Sequence, residues 1–230
     1  MLALPNRDIK LRKTVMNNNT LLQTVFRSLI ALSMPALPMS AICQAANAAT
    51  TYDAVRDFTT KANPNGVWSY SDENGLLADK ANLYQGVSAL KNWSNDAAPG
   101  YNVTILRNRT DAPVTLYDGV LTIPVNYLML SPDSNVTAAN VVFRAPSAGT
   151  YTVKGNFLGL DRPEAFGTRL NIIENGSKYI YGTQYARSGV KRRFRFVLSL
   201  AAGDTLDFQS EGSRSKGRYD VGLTVKIIGP

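Results

Sequence analysis

The chain of 230 residues contains no histidine and a single cysteine, Cys43. Without histidine, Ser-His-Asp and Cys-His catalysis are excluded, and zinc or copper sites lose their usual ligands. Proton transfer near neutral pH loses its most suitable side chain. Charged residues make up only 18% and aromatics 9% of the chain. No long uninterrupted apolar run is present. The longest, Leu29 to Ile42, is broken by two prolines and is shorter than the ~20 residues a membrane-spanning helix needs.

What is present at the start reads as a secretory signal. Arg7, Lys10, Arg12 and Lys13 form a basic region, Leu29 to Ile42 a short apolar one, and Ala46-Asn47-Ala48 a small-x-small cleavage site. Met16 is an alternative start, but it leaves only Arg27 and the amino terminus as positive charge. A lipoprotein signal at Cys43 is disfavoured, because Ser40 and Ile42 stand where Leu and a small residue are wanted. The expected organisation is a signal peptide over 1–48 and one domain over 49–230, secreted and with no transmembrane span after cleavage. Such a mature chain has no cysteine and no disulfide in a compartment that permits them. Its roughly 180 residues suffice for a core without covalent staples.

Of the 25 Lys and Arg and 17 Asp and Glu, five bases and one acid precede Ala49. The remaining 20 and 16 leave a net of +4 from a whole-chain +8. That lower figure, together with export, argues against nucleic acid as a partner.

From Tyr101 onward the pattern is β. Asn102 to Asn108, Val114 to Leu116, Val120 to Ile123 and Asn126 to Leu130 are short strand-like runs. Asp118-Gly119 is a turn that needs positive φ. Val141 to Ala145, then Ala145-Pro146-Ser147-Ala148-Gly149, then Thr150 to Phe157 predict a half-buried antiparallel hairpin, with Tyr151, Val153 and Phe157 inward. Thr168 to Glu174 and Lys178 to Tyr181 flank Asn175-Gly176, the strongest short hairpin signal. Arg192 to Leu200 alternates strictly, and Val221, Leu223, Val225 and Ile227 share one face. Earlier, Val67 to Tyr70 reads as a strand with two aromatics on one face, and Arg56 to Thr59 as another strand. Residues 76–93 fit either one helix or two short strands, 81–85 and 89–93. Nine to eleven short strands at regular spacing predict an all-β fold, an antiparallel two-sheet β-sandwich of the jelly-roll kind.

Asn63-Pro64-Asn65-Gly66-Val67-Trp68-Ser69-Tyr70 resembles the opening NPNGVWSYG of a family of exported bacterial β-sandwich domains, often found in proteins with a PEP-CTERM sorting tail. The resemblance continues through Arg144 to Tyr151, Gly159-Leu160-Asp161, Asn175-Gly176, Leu200 to Phe208 and Asp220 to Leu223. From Ala145 onward the layout is also similar to jelly-roll carbohydrate-binding modules. The resemblance implies a sandwich with a glycan- or surface-binding role, and it supplies no active-site residues. This chain departs from the family's pattern in lacking the histidine before the hairpin, where Leu130-Ser131-Pro132-Asp133 stands, and in ending at Gly229-Pro230 without the tail.

Three function classes remain open. The first is a non-enzymatic binding module for glycan or another anionic extracellular polymer. The second is a structural or self-associating surface protein. The third is a carbohydrate-active enzyme using carboxylates such as Asp118, Asp133, Asp161 and Glu164. Aromatic rings stack on sugars, so Trp93, Tyr101 and Tyr117 are binding candidates, with Trp93 and Tyr101 expected to be exposed beside the polar loop 94–100. Trp68, mid-strand among apolar neighbours, is expected in the core. Arg187, Lys191, Arg192, Arg193, Arg195, Arg214, Lys216 and Arg218 form a basic group suited to an acidic polymer, or a solvated, edge-protecting face. No cofactor is called for. Calcium is the metal this composition could hold, with Asp161 and Asp220 as candidate ligands.

Overall fold

The computed structural model describes residues 48–78, 84–95, 102–132, 137–162, 168–184, 188–212 and 220–230. All of them belong to the compact unit Ala45–Pro230. Among the described residues, fifteen strands run in chain order. They are β1 Thr50–Asp53, β2 Trp68–Asp72, β3 Gly75–Leu76, β4 Asn92–Ser94, β5 Thr104–Arg107, β6 Val114–Leu116 and β7 Leu121–Ile123. Next come β8 Leu128–Ser131, β9 Ala139–Arg144, β10 Gly149–Gly159 and β11 Arg169–Glu174. The last four are β12 Lys178–Gln184, β13 Lys191–Leu200, β14 Thr205–Glu211 and β15 Val221–Gly229.

A seven-stranded sheet has the order β13-β10-β15-β8-β5-β4, with β1 also on β15. A six-stranded sheet has the order β12-β11-β14-β9-β2-β3. Every pairing in them is antiparallel. Within these sheets, β8-β15-β10-β13 faces β9-β14-β11-β12, and successive strands from β8 alternate between sheets except at the β11–β12 hairpin. That is the two-Greek-key order of a jelly roll, so the expected fold class holds.

The alternation of inward residues makes the core. Tyr151, Val153 and Phe157 from β10, Val221, Leu223, Val225 and Ile227 from β15, and Phe143, Leu206 and Phe208 from the facing sheet are all buried. Trp68 lies 5.3 Å from Phe143, which lies 5.8 Å from Tyr151, so aromatic contacts cross between sheets. Gly155 permits a close approach: a Cβ there would run into the Thr224 carbonyl oxygen and the Phe194 ring.

Three local expectations are corrected. Residues 141–157 do not form a hairpin. β9 pairs with β14 and β2, while β10 pairs with β13 and β15. Residues 145–148 are an arch that carries the chain from one sheet to the other. Short turn residues reverse the chain without specifying whether the next strand stays in the sheet. The strand expected over 56–59 is replaced by a turn, because the Asp53 carboxylate accepts the amides of Val55 and Arg56, both at 3.1 Å. Neither reading of 76–93 survives intact. Residues 85–86 and 88–89 are turns, the strand there is only Asn92–Ser94, and 79–83 lie outside the described residues.

The turn expectations hold where they rest on backbone sign. Asp118 and Asn175 have φ of 53° and 50°, and Asn175-Gly176 closes the β11–β12 hairpin. The Asn63–Tyr70 motif is structural. The Asn63 amide donates to the carbonyls of Tyr70 (2.7 Å) and Leu77 (2.9 Å) and accepts the Tyr70 amide.

Two buried tyrosines separate packing from hydrogen bonding. Tyr151 donates its hydroxyl to the Ser147 carbonyl at 2.7 Å, tying β10 to its arch. The Tyr70 hydroxyl is buried with no partner. In urea unfolding, Tyr151→Phe is expected to lose about 1–2 kcal/mol, whereas Tyr70→Phe leaves stability unchanged or raises it. Equal losses in both variants would contradict the assignment.

Candidate functional site

The two outer faces of the sandwich differ. On the seven-stranded sheet, the β4, β5 and β8 end is covered. Leu106, Met129 and Leu160 pack beneath the β6–β7 hairpin and Leu90, forming a second small core. Among the described residues, the β15, β10 and β13 end is uncovered beyond Asn156, to which the Tyr127 hydroxyl donates at 3.0 Å, and it carries the basic residues. Strict alternation points Lys191, Arg193, Arg195 and Val197 outward from β13, where all four are exposed. The register places Arg195 opposite Lys154 of β10, and Lys154 opposite Lys226 of β15. Arg193 stands opposite Asn156, which stands opposite Thr224. Neighbouring strands are about 4.8 Å apart, so these groups form a compact cationic field. Lys226 is held by Asp53 at 3.1 Å. Among the described residues, no ion pair engages Lys154, Arg193 or Arg195.

Lys191, Arg193 and Arg195 are thus brought to one face, as the alternation implied. Sequence reasoning missed Lys154 and Lys226, because only strand register brings them alongside. Arg187, Arg214, Arg218 and Tyr101 lie outside the described residues, as do Lys216, Asp133 and Glu164.

Trp93 is not an exposed ring. It is buried, and its indole N–H donates to the Thr59 carbonyl at 2.7 Å, so it seals the core under residues 54–59. A loop-flanking position suggested exposure, but the pairing of β4 with β5 turns the ring inward. Tyr117 is 38% exposed and sits at a positive-φ turn. It reaches the half-buried Tyr84, whose hydroxyl is pushed up first by burial, then by the charge of Asp220, by Tyr117 and by Asp161. Asp161 and Asp220 do meet: the Asp220 amide donates to Asp161 Oδ2 at 2.6 Å. Among the described residues, no group of three His, Cys, Asp or Glu side chains converges. The pair's visible work is structural, joining the exit of β10 to the entry of β15.

The six-stranded sheet presents a different outer face. Asp207 of β14 stands between Ile173 of β11 and Val142 of β9, and Ile173 stands opposite Tyr179 of β12. Along the next row, Asn171, Gln209 and Asn140 lie side by side. Burial pushes the Asp207 carboxyl up to about 7. Alternation assigns these residues only to an outer face. The one signal is an aspartate in mid-strand, a position acids usually avoid.

No family model matches the chain, so the likeness of Asn63–Tyr70 to the exported family stays a resemblance. No curated protein matches it either. Solved structures overlap parts of it. A family 35 carbohydrate-binding module from Clostridium thermocellum shares 15% identity and a TM-score of 0.31, covering 50% of this chain and 85% of that one. A second family 35 module, from Cellvibrio japonicus, shares 13% identity at a TM-score of 0.33, over 54% of this chain and 91% of that one. The C-terminal family 6 module of a laminarinase from Zobellia galactanivorans shares 11% identity at 0.29, over 50% and 85%. The surfaces of this chain, not these overlaps, carry the functional reading.

The Asp207 carboxyl binds its proton more tightly folded than unfolded, from an ordinary 3.8 to about 7. Between those values the native state holds the extra proton, so stability falls as pH rises from about 4 to about 7 and then levels. A loss of roughly 2–4 kcal/mol across that window is expected. Asp207→Asn should flatten that component in urea unfolding at a series of pH values. An unchanged pH dependence in the variant would remove Asp207 as its source.

Proposed function

We propose that this protein is an exported, non-catalytic module that binds an anionic extracellular glycan through the bare end of its seven-stranded sheet. The carrying observation is the cationic field of Arg193, Arg195 and Lys154 on an outer face with no cover and no carboxylate partner among the described residues. An acidic polysaccharide supplies carboxylates at repeated spacing, and arginine forks take them two oxygens at a time. The same like charges line β13, the sheet's edge, and oppose edge-to-edge pairing of two copies. That argues for binding over self-association. The absence of histidine supports the non-catalytic reading. Export rests on the basic, apolar and Ala46-Asn47-Ala48 segments, and predicts a mature amino terminus at Ala49 when the exported protein is sequenced.

Alginate, a soluble polyuronate, is a direct probe. Binding measured by calorimetry should be strongest at low salt and fade toward about 0.3 M NaCl, where the Debye length falls below that at physiological salt. Arg193→Ala combined with Arg195→Ala should weaken it by about three- to tenfold with the fold intact. Salt-independent binding, or full affinity in the double variant, would remove the basic face as the site.

A further inference from the structure

The outer face of the six-stranded sheet carries polar groups that the fold does not use. Asn140 is 6% exposed, and its Oδ1 has no hydrogen-bond partner. Asp207 Oδ1, on the neighbouring strand and two residues along, is also buried without a partner. A buried polar atom left without a hydrogen bond is costly, so two on one face ask for a donor. Beside them, the Asn171 amide donates to Gln209 Oε1 at 2.9 Å, which orients both amide groups. The flanking charges cancel in pairs: Arg169 lies 3.7 Å from Glu211, and Lys178 lies 3.0 Å from Glu174. Apolar Ile173 and Val142 flank Asp207. Tyr179 follows in the same row, 67% exposed, the most exposed large hydrophobic side chain among the described residues.

We propose that this face is a second binding site, for a neutral, hydroxyl-rich saccharide chain, independent of the basic face. Sugar hydroxyls donate to the waiting Asn140 and Asp207 oxygens, directly or through one bound water. The apolar C–H face of a pyranose ring lies on Tyr179 and over Ile173. A polyanion suits this face less well than the basic one, because Arg169 and Lys178 are already paired with carboxylates and an ionised Asp207 repels it. The two faces therefore sort glycans by charge.

The full mature protein is tested by calorimetry against soluble β-glucan, xylan and galactomannan in about 0.5 M NaCl, where attraction between exposed charges is screened within a few ångströms. Binding of at least one of the three is expected. Tyr179→Ala and Gln209→Ala should each weaken it by at least about fivefold, an effect the size of a lost ring contact or amide hydrogen bond. Tyr179 is exposed and Gln209 is half-buried on the outer face, and circular dichroism confirms folding. Arg193→Ala with Arg195→Ala should leave this binding unchanged. Three outcomes overturn the proposal: no binding of any of the three neutral polymers, full affinity in the Tyr179→Ala protein, or loss of affinity in the double arginine protein. None of these alters the salt-sensitive binding of alginate, so the two sites fail separately.

Discussion

Two arches hydrogen-bonded to each other hold the sandwich closed at one end. The Ala145 amide donates to the Asp204 carbonyl, and the Gly203 amide donates to the Ala145 carbonyl, both at 2.8 Å. The first arch links β9 to β10 and the second links β13 to β14, so each carries the chain between sheets. Asp204 is the hub. One carboxylate oxygen accepts the Ala201 amide at 2.7 Å, the other accepts the Asn175 side chain at 3.0 Å, and Asn175 in turn accepts the Thr205 amide at 2.9 Å. A single aspartate thus ties both arches to the tip of the β11–β12 hairpin. Backbone polar groups at such corners leave the sheet ladders and must find partners locally. This network supplies them.

The consequence for function is geometric. Strands that alternate between sheets spend their inner residues on a shared core and leave two outer faces. One is half covered by β6, β7 and Leu90, with the uncovered half basic. The other is polar and close to charge-neutral. Neither face needs catalytic machinery. A flat strand array presents side chains at fixed spacing, about 4.8 Å across strands and about 6.6 Å along them, which suits repeating polymers.

Much of this is written locally in the sequence, and some of it is not. Asn175-Gly176, Asp118-Gly119 and the alternation of Arg192 to Leu200 act over a few residues, so their turns and strand faces were legible. Pro146 and Gly149 announced a chain reversal equally well. Whether that reversal made a hairpin or an arch depended on Asp204 and Gly203, nearly sixty residues away. The same distance effect governs the surfaces. Arg193 and Arg195 declared themselves by alternation, but Lys154 and Lys226 joined them only through register. Asn140, Asp207 and Gln209 became a group only when β9 and β14 paired. Trp93 was misjudged for a related reason: its loop-side position was visible, whereas the Thr59 carbonyl that captures its indole was not.

In the proposed function, ligand meets strands on the outer faces, not loops at the ends of the sandwich. Hydrogen–deuterium exchange of the mature protein with and without alginate at low salt tests this most directly. Slower exchange at the β13 edge amides and across β10 is the predicted result, with β11 and β12 unchanged. Protection confined to the loops around 145–148 and 201–204, or to β12, would contradict it.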